Sequence, residues 1–337
     1  MNRIRFPILL LSLSLASTLC RAAQPNAEQA KAIAEIKRLG GSVRPEPDNA
    51  VGLVVLARSR VTDAELALLK NFPRLHALDL TETKVTDAGL VHLKGLTELG
   101  SLVLGKTSVT DAGMVHLKEL TQLIVLDLGG TQVTDARLGH LNGLTGLQTL
   151  LLNATNVTDA GLVHFKALTQ LSTLYLGTTK VSDAGLVYLK GLTGLHILDL
   201  KSTKITDAGL VQLEGLPRLI TLDLSGTKVT DAGLVHLKVL PQLDSLNLSG
   251  SKITVSGLAH LKALPQLQTL VLAGTKLTDA GLANIEGWHE LKNLYLGKRI
   301  TNRYCWLGGV HPDFLAALPE WPSEARAEFP GFLDTSE

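Results

Sequence analysis

Two segments of the chain, residues 85–94 and 229–238, have the identical sequence VTDAGLVHLK. They belong to a longer series, because an aliphatic residue occupies the first position of this segment every 24 residues. The series consists of Val61, Val85, Val109, Val133, Val157, Val181, Ile205, Val229, Ile253 and Leu277. Ten copies in strict register predict a repeat architecture, although 337 residues alone would favour two separate domains.

Each repeat contains two hydrophobic periods. Leu78 and Leu80 alternate with small or polar residues, which predicts a strand with one buried face. Leu90 and Leu93 continue a spacing of three, which predicts about two turns of helix. An eleventh strand pattern follows at residues 291–296. A single repeat buries too little apolar surface to offset its conformational entropy, so the repeats must stack on one another.

The pattern LxxLxLxxTxVTDAGLxxLxxL resembles the leucine-rich repeat family over residues 51–298. Its VTDAGL half is similar to the subclass found in F-box receptors and in secreted bacterial repeat proteins. The resemblance implies an α/β fold, a right-handed horseshoe-shaped solenoid with a parallel sheet on the concave side and short helices on the convex side. Ten full repeats plus the eleventh strand would form this solenoid.

The fixed polar position of each repeat carries a hydroxyl residue, where the family often has Asn or Cys. A hydroxyl can make one bond inside the coil, whereas an amide can serve both sides. We expect a structural ladder formed by Thr83, Thr107, Thr131, Thr155, Thr179, Thr203, Thr227, Ser251 and Thr275.

The Thr and Asp of each VTD triplet precede the predicted helix. Thr86 is a favourable N-cap, and Asp87 in the first turn is favoured by the helix dipole. A structural role is therefore predicted in place of ten catalytic centres, and it extends to Asp111, Asp159 and Asp231. Gly89 follows, and because Glu65 and Arg137 occupy its position elsewhere, small size and not a positive φ explains it.

A row of imidazoles is predicted on the convex side. It comprises His92, His116, His140, His164, His236 and His260, with Tyr188 and Gln212 at the two intervening positions. Neighbouring imidazoles could share a zinc ion, but no Cys or carboxylate completes a fixed site. A solvated helix face explains the row, and no metal site is predicted.

The strand residues facing the concave side vary from repeat to repeat, while the core leucines do not. This is the pattern of a binding scaffold, whose partner-facing side chains are free to differ. The predicted partner-binding residues are Asp79, Asp127, Tyr175, Asp199, Asp223, Asn247 and Tyr295. Asp199 and Asp223 on adjacent strands leave two alternatives open, a glycosidase pair and, with Asn247, a calcium site.

Lysines form a further stripe just after the predicted strands. A solvated rim is the simpler interpretation, and a contact for an acidic partner is the alternative. The stripe consists of Lys84, Lys180, Lys204, Lys228, Lys252 and Lys276.

Residues 1–22 have the features of a cleavable signal peptide: a basic start, an apolar run too short to span a bilayer, and cleavage after Ala22. A lipid anchor on Cys20 is disfavoured, because Leu19 occupies a position where a lipoprotein signal needs a small residue. Loss of this segment changes the formal net charge from +1 to about −2 and leaves one cysteine, Cys305. An exported chain without an intramolecular disulfide follows.

Both ends of a solenoid need a cover. Residues 23–50 predict an N-terminal helical cap with Asn26 as N-cap, Gln29 three residues later and Gly40 as its stop. Residues 299–337 predict an aromatic-rich C-terminal cap and tail. A partner site around Cys305 and Trp306 is the alternative there.

These features together predict a non-catalytic exported scaffold that binds a protein partner through its concave face. We expect a monomer with no cofactor, no transmembrane segment and, because the chain is nearly neutral, no affinity for nucleic acid. An F-box-like substrate receptor of a ubiquitin ligase is one alternative, although residues 23–50 are too short for an F-box. A hydrolase with a site on the caps is the other.

Overall fold

The computed structural model describes residues 26–45, 51–277, 288 and 290–296. The predictions of a signal peptide at residues 1–22, a lipid anchor at Cys20 and a C-terminal cap at residues 299–337 lie outside this part of the chain. So does the alternative partner site at Cys305 and Trp306.

The N-terminal segment forms helix α1 (Ala27–Arg38). A capping box starts it, because the Asn26 side chain accepts a hydrogen bond from the Gln29 N–H (2.8 Å) and the Gln29 side chain accepts one from the Asn26 N–H (3.3 Å). Gly40, with φ 93°, follows the C-cap residue. A short strand that the sequence did not predict comes next and pairs antiparallel with the first strand of the solenoid. Helix and strand together cover the first coil.

Twelve strands form one sheet in chain order. All neighbouring pairs after the first are parallel, which confirms the eleven predicted solenoid strands. Residues 24 apart are partners, as in Leu78 with Leu102. The strands are β1 (Ser42–Pro45), β2 (Val51–Val55), β3 (Ala77–Asp79), β4 (Ser101–Val103), β5 (Val125–Asp127), β6 (Thr149–Leu151), β7 (Thr173–Tyr175), β8 (Ile197–Asp199), β9 (Thr221–Asp223), β10 (Ser245–Asn247), β11 (Thr269–Val271) and β12 (Asn293–Tyr295).

The helical side of each coil is shorter and tighter than predicted. The α-helices are α2 (Asp87–Leu90), α3 (Asp159–Leu162), α4 (Asp183–Leu186), α5 (Asp207–Leu210) and α6 (Val255–Leu261). The 3₁₀ helices are Ala64–Asn71, Val91–Leu93, Gly113–His116, Asp135–Gly143, Val163–Ala167, Val187–Leu189, Val211–Gly215 and Gly233–Val239. Leucines spaced by three fit a helix with three residues per turn, which explains why, among these helices, only α6 approaches two α-helical turns.

The repeated leucines form one continuous core from the N-terminal helix to Leu291. Leu78, Leu90 and Leu150 are at most 1% exposed, as are their equivalents in most coils. Trp288 also packs in this core. No coil has a separate core, so the described solenoid is one packed body.

The buried threonines bond within their own coil. Each Oγ1 donates to the carbonyl oxygen three residues earlier at 2.6–2.7 Å, as in Thr83 to Leu80. They therefore close the turn after the strand and do not link neighbouring coils. Ser251 differs, because its buried Oγ has no partner among the described residues.

The links between coils come from the aspartates of the VTD triplets. Asp87 Oδ1 accepts a hydrogen bond from the Thr110 N–H (2.8 Å), and Asp87 Oδ2 accepts one from the Thr110 hydroxyl (2.6 Å). We call the eight equivalent junctions the aspartate ladder. They join Asp63 to Thr86, Asp87 to Thr110, Asp111 to Thr134, Asp135 to Thr158, Asp159 to Ser182, Asp183 to Thr206, Asp207 to Thr230 and Asp231 to Thr254.

The ladder extends the role predicted for Asp87, Asp111, Asp159 and Asp231, of which Asp87 and Asp159 do lie in the first turn of an α-helix. Sequence reasoning assigned them to the helix dipole, whereas both carboxylate oxygens are used by the next coil. The predicted N-cap of Thr86 is confirmed, since its hydroxyl accepts a bond from the Ala88 N–H (3.3 Å).

The glycine of the VTDAGL segment makes room for this ladder. A Cβ added at Gly161 would lie 2.5 Å from Asp135 Oδ1 and 2.7 Å from Leu138 Cδ1, and φ there is not positive. Small size therefore explains the glycine, as predicted, although Arg137 occupies the same position beside an intact Asp111–Thr134 junction.

The first coil has no preceding aspartate, and Glu65 takes its place. Glu65 Oε2 accepts hydrogen bonds from both the Thr62 N–H (2.8 Å) and the Thr62 hydroxyl (2.7 Å). These two bonds hold the pKa of Glu65 below its ordinary value. Near the other end, Val255 occupies the aspartate position, so the coil of residues 253–276 offers no carboxylate there.

Candidate binding surface

The seven residues predicted to face a partner end their strands in one column, here named the concave column. The strand register places Tyr175 beside Asp199, Asp199 beside Asp223, and Asp223 beside Asn247. The complete column is Val55, Asp79, Val103, Asp127, Leu151, Tyr175, Asp199, Asp223, Asn247, Val271 and Tyr295. All seven predicted residues are half-buried, whereas Leu151 is only 7% exposed.

The acidic members of the column also shape the backbone. Asp127 Oδ1 accepts a hydrogen bond from the Gly129 N–H, and Asp199 Oδ1 accepts one from the Lys201 N–H, both at 2.7 Å. Asp79 accepts two such bonds from Thr81, at 2.9 Å from the N–H and 2.6 Å from the hydroxyl. Each of these three carboxylates thus holds the turn that ends its strand through one of its oxygens.

Asp223 and Asn247 form a hydrogen-bonded pair on adjacent strands. Asn247 Nδ2 donates to Asp223 Oδ2 (3.0 Å), and Asn247 Oδ1 accepts from the Ser249 N–H (3.0 Å) and hydroxyl (2.7 Å). The amide therefore presents a donor to the carboxylate, and its oxygen faces Ser249. This arrangement opposes the calcium alternative, which needs that oxygen to face the ion.

The charge of the column depends on pH. Burial raises the pKa of Asp127 to about 6, with a smaller contribution from the charge of Asp79. Burial likewise raises the pKa of Asp199 to about 6, and the neighbouring Asp223 adds to the effect. Burial also raises the pKa of Tyr175, followed by the charges of Asp199 and Asp223. The column consequently loses negative charge as the pH falls through 6.

We expect these two acids to lower the stability of the fold as the pH rises from about 4 to about 6. From their ordinary value of 3.8 up to about 6, the folded chain binds their protons more tightly than the unfolded chain, so raising the pH destabilises the fold. Thermal unfolding at pH 4.5 and pH 7 measures the effect. The variant Asp127→Asn/Asp199→Asn lacks these acids. Its change in Tm from pH 4.5 to pH 7 should therefore be more positive than that of the parent protein. An identical pH dependence in the two proteins would contradict the prediction.

The convex side carries both the row of histidines and a set of exposed valines. His92, His116 and their equivalents are half-buried, while the valines before them, such as Val91 and Val115, are 46% and 37% exposed. Among the described residues, no group of three or more His, Cys, Asp or Glu side chains is arranged to hold a metal ion.

Sequence reasoning missed one charged group beside the column. Lys201, two residues after Asp199, is exposed, and its positive charge partly offsets the rise in the pKa of Asp199. It also missed Asp63, Asp135, Asp183 and Asp207 as ladder members. The available signal was the spacing of 23 residues between each aspartate and the Thr or Ser of the next repeat.

A leucine-rich repeat family model matches residues 192–213 and 217–238. Curated proteins give no significant match. Among solved structures, an internalin from Listeria monocytogenes is similar, with 24% identity over 82% of this chain and 91% of that one and a TM-score of 0.56. A plant ice-binding protein is similar with 18% identity over 76% of this chain and 89% of that one, with a TM-score of 0.50. At these identities the likeness concerns the fold.

Among the described residues, no helix has the length and apolar character needed to cross a membrane. The remaining features agree with the comparisons: the 24-residue period, the parallel sheet with one strand per repeat and the core of stacked leucines. The chain therefore has the fold of a leucine-rich repeat solenoid.

Proposed function

We propose that the chain is an exported, non-catalytic scaffold that binds a protein partner through the concave column. The supporting observation is the contrast between the column and the core beneath it. Neighbouring strands carry Tyr175, Asp199, Asp223 and Asn247 at equivalent positions, whereas Leu174, Leu198, Leu222 and Leu246 are identical and fully buried. An invariant core with varied outward residues suits recognition.

Rigidity favours binding by this surface. The strand-end bonds of Asp127, Asp199 and Asp223 fix the backbone beside the column, so little conformational entropy is lost when a partner docks. Export is proposed from residues 1–22, whose basic start and short apolar run are typical of a signal peptide. Both rivals, an F-box-like receptor and a hydrolase, lack a supporting observation in the described residues.

The variant Tyr175→Ala/Asp199→Asn should weaken partner binding about tenfold or more, because it removes an aromatic contact and a charge from adjacent strands. Asparagine retains the oxygen that accepts the Lys201 N–H bond, so the turn is preserved. The partner is first isolated by cross-linking to the purified chain, and its affinity for each variant is then measured by calorimetry.

The matched control is His116→Ala/His140→Ala on the convex side. Circular dichroism checks that both double variants keep the secondary structure of the parent. An equal loss of affinity in the convex variant would show that the partner uses the other face, and unchanged affinity in the concave variant would refute the proposal.

A further inference from the structure

We propose that a row of lysines along the rim of the sheet binds a linear anionic polysaccharide with one carboxylate per sugar residue. The row, here named the lysine row, runs through five consecutive coils. All five side chains belong to exposed residues: Lys180, Lys204, Lys228, Lys252 and Lys276. The site is separate from the concave column and does not depend on the function proposed for it.

The backbone fixes the spacing of the row. The N–H groups of Lys180, Lys204 and Lys228 donate to carbonyl oxygens of the preceding coil, each at 2.9 Å. Lys252 makes the equivalent bond to Val229 at 3.4 Å. With about 4.8 Å between neighbouring strands, five lysines extend over roughly 19 Å. The positive charges therefore form a line whose period is set by the fold.

Neighbouring acids do not pair with the lysines of the row. None of the five lysines forms an ion pair within the described part of the chain. The nearest acids in the sequence, such as Asp183 and Asp207, direct both carboxylate oxygens to the next coil in the aspartate ladder. These hydrogen bonds occupy the ladder carboxylates without cancelling their charge, and the ammonium groups of the row stay unpaired among the described residues and open to contact by an external anion.

The first coils of the same rim show the opposite arrangement. Glu82 accepts bonds from Arg58 (2.8 Å) and Lys106 (2.7 Å), so charges in three successive coils pair with one another. Those bonds hold the pKa of Glu82 at about 2. Lys84 occupies the equivalent position in these first coils and is also exposed, but Ser108, Gln132 and Asn156 separate it from the five consecutive lysines of the row.

A linear polymer fits this geometry better than a compact anion. A line of fixed cations gains from many weak contacts at once and from release of the counterions of the polymer. Polyuronates carry their carboxylates in regular succession along one chain. A single phosphate would reach only one or two of the five lysines.

The surroundings of the row favour a polysaccharide over a nucleic acid. Single-stranded nucleic acids bind where aromatic side chains stack on successive bases. The residues two positions before each lysine are small and uncharged: Thr178, Ser202, Gly226, Gly250 and Gly274. The N–H groups of the first four bond to the next coil, so the hydroxyls of Thr178 and Ser202 are the donors available to a sugar. None of these residues offers a surface for stacking.

Titration of the purified protein with sodium polygalacturonate, followed by calorimetry at several salt concentrations, tests the proposal. We expect binding that weakens as salt rises. The variant Lys204→Gln/Lys228→Gln/Lys252→Gln should lose about twentyfold in affinity, and its salt slope should fall by about two. Fully methyl-esterified polygalacturonate, which is neutral, should not bind.

The control variant is Lys94→Gln/Lys118→Gln/Lys238→Gln. It removes the same charge from exposed positions on the helical side, where Asn142 and Glu214 interrupt the equivalent column. An affinity change below twofold is expected for it. Equal losses in the two variants, or tighter binding to polydeoxythymidylate or to phosphatidylserine vesicles than to polygalacturonate, would overturn the proposal.

Discussion

Replacing Leu150 with aspartate should destroy the cooperative fold of the central coils. Leu150 is fully buried and is aligned between Leu126 and Leu174 of the adjacent strands. The substitution removes a packed side chain and places an unpaired carboxylate in the core, at a cost of about 5 kcal/mol or more. This is comparable to the total stability of many domains. Circular dichroism and thermal unfolding should show lost structure or a Tm lowered by more than 10 °C.

Thr149→Asp is the matched control for this variant. Thr149 precedes Leu150 in strand β6 but is half-buried on the opposite face of the sheet. It introduces the same charge at a site that water can reach, so the Tm should change by only a few degrees. If both variants melt alike, charge in the strand and not burial in the core would be the cause.

Asp183→Ala should lower the stability by about 2 to 4 kcal/mol and the Tm by about 5 to 10 °C. The change deletes two charge-assisted hydrogen bonds at one coil junction, from the Thr206 N–H (2.8 Å) and from the Thr206 hydroxyl (2.6 Å). Because Thr206 is half-buried, water only partly replaces the lost carboxylate as a partner of its N–H in the variant. Thermal and urea unfolding measure the loss.

Two further variants distinguish the loss of the hydrogen bonds at this junction from the loss of a negative charge. Asp183→Asn retains one acceptor and should lose about half as much stability. Asp244→Ala removes a half-buried carboxylate that makes no hydrogen bond among the described residues, so it should lose little. A loss for Asp244→Ala as large as that for Asp183→Ala would contradict the importance assigned to the aspartate ladder.

The sequence predicted the sheet well because its two determinants are local and periodic. Leu78 and Leu80 alternate within one strand, and the constant period allows no other register than Leu78 beside Leu102. The helical side was predicted less well. A spacing of three is compatible with α and 3₁₀ helices alike, and the packing of the coils determines which one forms.

The polar contacts were the least predictable part. Asp87 lies next to Thr86 in sequence, so local reasoning assigned it to the same helix start, whereas its partner is Thr110 in the next coil. The concave column followed from strand alternation. The bond from Asn247 to Asp223 did not, because side-chain orientation depends on neighbours from two strands at once.

Glu65 makes the first coil different from the coils that follow it. Every later coil down to Thr254 receives its carboxylate from the coil before it, whereas the first coil supplies its own. A 24-residue unit added or removed between these limits would leave each junction with its partners. The number of coils can therefore change by duplication or deletion of whole units, and the length of the sheet changes with it. The coils at the two ends stay the same.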